Sequence, residues 1–290
     1  MLIRAGFDIQ FNLPQPTEVL AQVSLLPEYA VRLLAPEQFS AQTADGSPLP
    51  AQRYVDRFGN LCHRIQAMAG SLRLFNDFVV ADTGAPNLLP IGQYQHAVSE
   101  IPNEHLVFLL PSRYCESDRL SGMAWSLFGH TPLGWPRVQA VLDWVHGNVQ
   151  FGYQFASVSK TAAEVAETRQ GVCRDFAHLA ISFCRALNIP ARYATGYLGD
   201  IGVPFNPAPM DFSACIEVFL GGQWWLLDAR HNRPRVGWLL MARGRDAADC
   251  AITTAFGAAP LVQFKVWTYA EEQAPVMPHM QQQAAAQFAH

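Results

Sequence analysis

Six cysteines, at positions 62, 115, 173, 184, 215 and 250, and nine histidines are the residues of this chain that could carry thiol or metal chemistry. No two cysteines stand in a C-x-x-C spacing and no two histidines form an H-x-x-x-H pair, so a zinc knuckle or redox dithiol is not expected. What remains is single-thiol chemistry, and each cysteine must be judged by its position. A free cysteine is ordinarily a buried packing residue, and Cys62, Cys115, Cys184 and Cys250 are read so. Cys173 differs because it follows Gly171-Val172 and opens an apolar stripe at helical spacing, Phe176, Ala180, Phe183 and Leu187. Unpaired amides and the helix dipole at such a start favour the thiolate, which makes Cys173 the candidate nucleophile. The preceding glycine would permit close backbone approach by a substrate.

The elements around Cys173 must supply its partners. The helix it opens ends at Asn188-Ile189-Pro190, since proline disfavours helical geometry in the residue before it. Ala191–Leu198, Phe212–Leu220 and Gln223–Asp228 read as strands, the last two joined by Gly221-Gly222, a two-residue loop whose glycines can both take positive φ. That loop sets Leu220 opposite Gln223, and counting outward sets Cys215 opposite Asp228 and Ser213 opposite Arg230. Ser213, Cys215 and Asp228 then share one face, with Ser213 and Asp228 diagonal neighbours. A proton acceptor oriented by a carboxylate would occupy this slot, and a serine fills it. Upstream, Trp135–Gln150 carries Val138, Val141, Leu142, Val145 and Val149 at helical intervals, and Thr161-Ala162-Ala163-Glu164 has the spacing of a capping box that starts a short helix ending near Gly171.

Up to Asp82 the pattern is strand-like, in Ile3–Leu13, Glu18–Leu26 and Leu61–Val80, with turn signals between. The sequence therefore divides into a β-rich, sandwich-like domain over residues 1–90, an α+β core over 91–270 with C-terminal strands, and a flexible Gln- and Ala-rich tail over 271–290. Half the residues are hydrophobic and 15% are charged, which excludes a disordered chain. A net charge of -4 gives no basic field for nucleic acid or a membrane surface. No apolar run approaches a membrane span, no export signal is read at the start, and the cysteines suit a reducing compartment, so the cytoplasm is expected.

Gly171-Val172-Cys173-Arg174-Asp175-Phe176-Ala177-His178-Leu179, Asn188-Ile189-Pro190-Ala191-Arg192-Tyr193, Thr195-Gly196-Tyr197 and Leu227-Asp228-Ala229-Arg230-His231-Asn232 together resemble the bacterial transglutaminase-like superfamily. Ile3-Arg4-Ala5-Gly6-Phe7 and Asp56-Arg57-Phe58-Gly59-Asn60 resemble the β-domain that often precedes its core. The resemblance implies a papain-like α+β fold in which a helix carrying the cysteine packs on an antiparallel sheet. It also implies a cysteine nucleophile at Cys173, an aspartate at Asp228, a histidine at the position held by Ser213, and a peptide or protein substrate. Cys215 stands where the superfamily commonly has a tryptophan.

Serine cannot accept a thiol proton near pH 7, so the departure at position 213 bears directly on the chemistry. Two histidines are near in sequence. His178, five residues into the helix, lies about 140° around the axis from Cys173 and is expected to pack elsewhere. His231 would face away on a straight strand and becomes a substitute base only through a bend at Ala229-Arg230. Glu217 is expected as a rim or solvated carboxylate, Trp224, Trp225 and Trp238 as core or groove residues, and Arg174 with Asp175 as local ion-pairing and capping groups. No phosphate or calcium loop is visible and no cofactor or metal is expected. Two functions follow: thiol acyl transfer on peptide or carboxamide bonds through Cys173, as peptidase, amidase or cross-linker, or an inactive module that binds a peptide or protein in the same cleft.

Overall fold

Alternation of apolar and polar residues along β1 (Leu2–Leu13) buries Ile3, Ala5, Phe7, Ile9, Phe11 and Leu13 on one face, as a half-buried strand requires. The computed structural model describes residues 1–273. The strands that follow are β2 (Thr17–Ala21), β3 (Ser40–Gln42), β4 (Pro48–Leu49), β5 (Ala51–Val55), β6 (Leu61–Ala67) and β7 (Gly70–Ala81). Two expected strands are cut differently. β2 stops at Ala21 although Val23, Leu25 and Leu26 stay buried, and the run Leu61–Val80 divides into β6 and β7, which belong to different sheets.

The helical part comprises α1 (Ser121–Phe128), α2 (Trp135–Asn148), a short β8 (Gln150–Phe151), α3 (Ala162–Thr168), β9 (Gln170–Gly171) and α4 (Cys173–Ala186). α3 starts at the expected capping box: the Glu164 amide donates to Thr161 Oγ1 at 3.5 Å and the Thr161 amide to Glu164 Oε2 at 2.7 Å. α4 is the hub. Its stripe Phe176, Ala180, Phe183 and Leu187 is buried as expected, and so are His178, Ser182 and Arg185 on its other sides. The Arg185 guanidinium is satisfied by the carbonyls of Ala191, Leu110 and Arg245 and by Ser112 Oγ, so its charge is solvated by protein.

α4 packs on β10 (Ala191–Tyr197) and β11 (Ser213–Leu220), which with β12 (Gln223–Leu227) and β13 (Leu239–Gly244) form an antiparallel sheet of order β12-β11-β10-β13. The chain then returns to its beginning. β14 (Thr253–Ala255) pairs with β2, and β15 (Leu261–Ala270) pairs with β1 from Ile3↔Ala270 onward. The sandwich sheets are thus β15-β1-β7-β3-β4 and β14-β2-β6-β5. Strands from within the span 91–270, which the sequence assigns to the core, complete the N-terminal sheets instead. One buried cluster joins Phe7, Ile65 and Leu74 of the sandwich to Tyr197, Cys215 and Leu240 of the core sheet, which locks the two units together. Of the tail expected over 271–290, a 3-10 turn at Glu271–Gln273 is described and the rest lies outside the described residues. Among the described residues no helix is long and apolar enough to cross a membrane.

Between β2 and β3 the chain carries Glu37, whose Oε2 accepts from the Leu25 amide at 3.0 Å and Oε1 from the Asn76 side-chain amide at 2.7 Å. Burial pushes this carboxyl up from 4.5 to about 7, against the lowering effect of those hydrogen bonds and of Arg53. The folded state therefore binds a proton that the unfolded chain has lost between these two values, and stability falls as pH rises through that window. A rise from 4.5 to about 7 corresponds to about 3 kcal/mol. Glu37→Gln is expected to become more stable than the parent by up to about this amount at pH 8 and to show no such gain at pH 4, as read from urea unfolding at the two pH values.

Candidate active site

Cys173 is placed by the parallel pairing of β8 with β9, where Phe151 lies opposite Gly171 and the Gly152 amide donates to the Gly171 carbonyl at 3.1 Å. The chain turns into α4 under a side-chain cap, the Val172 amide donating to Asp175 Oδ2 at 2.9 Å. A Cβ on Gly171 would lie 2.5 Å from Asp175 Cβ, so the glycine makes room for the capping carboxylate. Arg174 pairs with Asp175 at 3.3 Å, the local ion pair expected. Cys173 is partly exposed while the other five cysteines, Cys215 included, are buried. As the first residue of α4 its amide has no acceptor one turn back, so it is available to a ligand.

The hairpin has the expected register: Leu220 opposes Gln223 and Ile216 opposes Leu227, with Gly221 at φ 57 and Gly222 at φ 86. β12 ends at Leu227, and the chain then bends. The Asn232 amide donates to the Asp228 carbonyl at 2.8 Å, and Asn232 takes a left-handed φ of 48. α2 holds this turn from outside. Asn232 Nδ2 donates to Asp143 Oδ1 at 2.7 Å, and His146 Nδ1 donates to the Arg230 carbonyl at 2.7 Å. The bend reverses the direction a straight strand would give His231. Its Nδ1 lies 2.7 Å from Asp228 Oδ2, and Asp228 Oδ1 accepts the amides of Arg230 and His231 at 2.9 Å each. With the Nδ1 proton donated to the carboxylate, the neutral ring keeps its lone pair on Nε2.

Cys173, Ser213 and His231 line one cavity of about 80 Å³, together with Tyr153, Asp211 and Arg230. Asp228 lies beneath it, 6% exposed, and supports His231 from below. Among the described residues no hydrogen bond joins Cys173 to His231. Burial pushes the Cys173 thiol up, and the Ala214 amide directed at the sulfur only partly offsets this. A helix start alone predicts a lowered thiol; enclosure by the surrounding strands overrides it.

The remaining expectations resolve simply. His178 is fully buried, accepts the Ala247 amide at 3.1 Å and stacks on Tyr114, away from Cys173 as expected. Glu217 is neither a rim nor a solvated carboxylate: it is 5% exposed, and its Oε2 accepts from Arg192 at 2.7 Å and Arg243 at 2.8 Å. Arg192 sits directly opposite it on β10, so the buried carboxylate is paired. Trp224, Trp225 and Trp238 lie outside the thiol cavity, Trp224 stacking under Arg192 at 4.1 Å and Trp238 buried. Arg230 and Asp211 flank positions singled out in the sequence, whereas Tyr153 carries no local signal; it reaches the site only because β8 pairs with β9. Among the described residues no group of three or more His, Cys, Asp or Glu could hold a metal ion.

Residues 128–229 match the family model of the transglutaminase-like superfamily. A solved structure from Cytophaga hutchinsonii, provisionally described as a cysteine protease, is 29% identical, with a TM-score of 0.79 over 96% of this chain and 93% of that one. The periplasmic domain of TgpA from Pseudomonas aeruginosa is 17% identical, with a TM-score of 0.38 over 78% of this chain and 89% of that one. An uncharacterized protein of Mycobacterium leprae (strain TN) is 28% identical over 117 residues, which is 39% of this chain and 42% of that relative. Residues 128–229 thus form a transglutaminase-like domain, and the helix-borne cysteine packed on the antiparallel sheet gives it a papain-like core.

Proposed function

We propose that the chain is a thiol acyl-transfer enzyme acting on peptide or carboxamide bonds through Cys173, with His231 as the base and Asp228 as its orienting carboxylate. The observation that carries this is the 2.7 Å contact between Asp228 and His231 Nδ1 in the same cavity as the sulfur. His231 Nε2 takes the thiol proton as the sulfur attacks the carbonyl carbon. The Cys173 amide at the helix start receives the oxyanion. Collapse breaks the C–N bond, His231 returns the proton to the leaving amine, and a thioester remains on Cys173. Attack by water makes the enzyme a peptidase or amidase, and attack by an amine makes it a cross-linker. Ser213, at the position of the family histidine, orients groups without titrating. The free cysteines support a reducing compartment, and the cytoplasm is the proposed location.

A second reading, a module that binds a peptide or protein without turnover, is favoured by Ser213 and by the desolvation that pushes the Cys173 thiol up. Alkylation of Cys173 by neutral iodoacetamide across pH 5–9, with Cys173→Ala as control, separates the two. Base-assisted chemistry gives a reactivity midpoint below that of a free thiol, roughly 8.5. A midpoint at or above it selects the binding module. Ser213→His is expected to raise activity where the cavity is otherwise competent, by supplying an imidazole from the strand as well.

A further inference from the structure

The cavity over Cys173, at about 80 Å³, holds the reacting groups and little else. Asp200 and Met210 form a wall that it shares with a second cavity of about 420 Å³, within the size range of ligand pockets. Ile201, Val203, Phe205 and Met210 line this second space from one side, all from the strap that connects β10 to β11. Thr268 and Tyr269 of β15 line the other. The strap is built to stay in place. Asp200 Oδ2 accepts the Asn206 amide at 2.7 Å, Arg235 donates to the Gly199 carbonyl at 3.0 Å, and the Thr268 amide donates to Met210 Sδ at 3.3 Å. A Cβ on Gly199 would lie 2.3 Å from the Thr268 carbonyl oxygen, so the strap is seated directly on β15. Prolines 204, 207 and 209 restrict its backbone further. Phe205 lines the cavity and is 74% exposed, so it stands at the lip.

We infer that the second cavity is a side-chain subsite of the thiol site, taking a bulky aromatic or aliphatic side chain of a peptide whose reacting carbonyl lies at Cys173. The inference rests on the reading of Cys173 as nucleophile. Four apolar strap residues make the cavity favourable for such a group, and an acidic side chain would face Asp200 at the shared wall. Because β15 belongs to the sandwich, the sandwich contributes part of substrate recognition as well as stability.

The test uses the full chain and two symmetric epoxysuccinyl bis-amides, one with phenylalanine amide on both arms and one with glycine amide. The thiolate attacks an epoxide carbon, the C–S bond forms, the C–O bond breaks and the alkoxide takes up a proton, so no turnover is needed. Symmetry makes the result independent of which side of the sulfur an arm occupies. The bis-phenylalanine probe is expected to modify Cys173 about 10–100-fold faster than the bis-glycine probe. Val203→Asp is expected to reduce this ratio to about 3 or less. Phe205→Asp, at an exposed position, serves the same purpose where Val203→Asp does not fold. Equal rates in the parent protein, or a ratio that neither variant changes, overturn the subsite. Failure of iodoacetamide as well as both probes to modify Cys173 would instead remove the nucleophile reading and this inference with it.

Discussion

Replacing His231 with alanine is expected to lower acyl transfer by about 10²–10⁴-fold, the range for loss of a positioned general base. The fold should survive the change. The His231 side chain is 23% exposed, and the turn that carries it is held by main-chain and neighbouring contacts that alanine leaves intact: the two amides on Asp228 Oδ1, Asn232 on Asp143 and His146 on the Arg230 carbonyl. The loss should therefore appear in the chemistry and in the pH profile of Cys173 alkylation, whose midpoint should move upward toward that of a buried thiol. Ser213→Ala is expected to change turnover by only a few-fold, because a hydroxyl neither takes nor returns the proton near pH 7. If His231→Ala left both turnover and the alkylation profile unchanged, the assignment of His231 as the base would be overturned.

Why the sequence singles out Cys173 and Asp228 as candidates but leaves the base open follows from the range of the forces involved. The stripe of α4, its proline stop and the Gly221-Gly222 hairpin are local, set by periodicity and by backbone freedom within a few residues, and all are present as expected. The bend that carries His231 is not local. It depends on Asp143 and His146 of α2, which lie 89 and 84 residues away from their partners in the chain. Strand alternation places Glu217 on a face with Ser213, but its burial depends on Arg192 and Arg243 arriving from two neighbouring segments. The thiol shows the same division: the helix start is visible in the sequence, whereas the enclosure that outweighs it comes from strands far along the chain. β14 and β15 are placed by pairing with strands more than two hundred residues earlier, and no neighbouring residue indicates which sheet they will join.

Asp228→Asn is expected to cost about 10³–10⁴ in turnover while leaving stability nearly unchanged, because it alters a proton's position rather than a shape. Asp228 Oδ1 accepts two backbone amides, so the single carbonyl oxygen of asparagine is drawn to that side. The side-chain NH₂ then faces His231 Nδ1, where a carboxylate oxygen now lies at 2.7 Å. Two donors cannot share that contact. The ring shifts to the tautomer with its lone pair on Nδ1 and its proton on Nε2, the atom that must be bare to take the thiol proton. A similar substitution in a serine-histidine-aspartate triad costs about 10⁴ for this reason. Alanine at 228 would do more, since it leaves both turn amides without their acceptor and should also destabilise the fold by about 1–3 kcal/mol. The two variants thus separate orientation from architecture: the asparagine protein should unfold at nearly the parental denaturant concentration yet turn over slowly, and the alanine protein should lose on both measures. Raising the pH should partly restore alkylation of Cys173 in the asparagine variant, because the thiol then ionises without help. Asparagine turnover within about three-fold of the parent would mean that the Asp228–His231 pair only braces the turn and that the proton leaves the sulfur by another route.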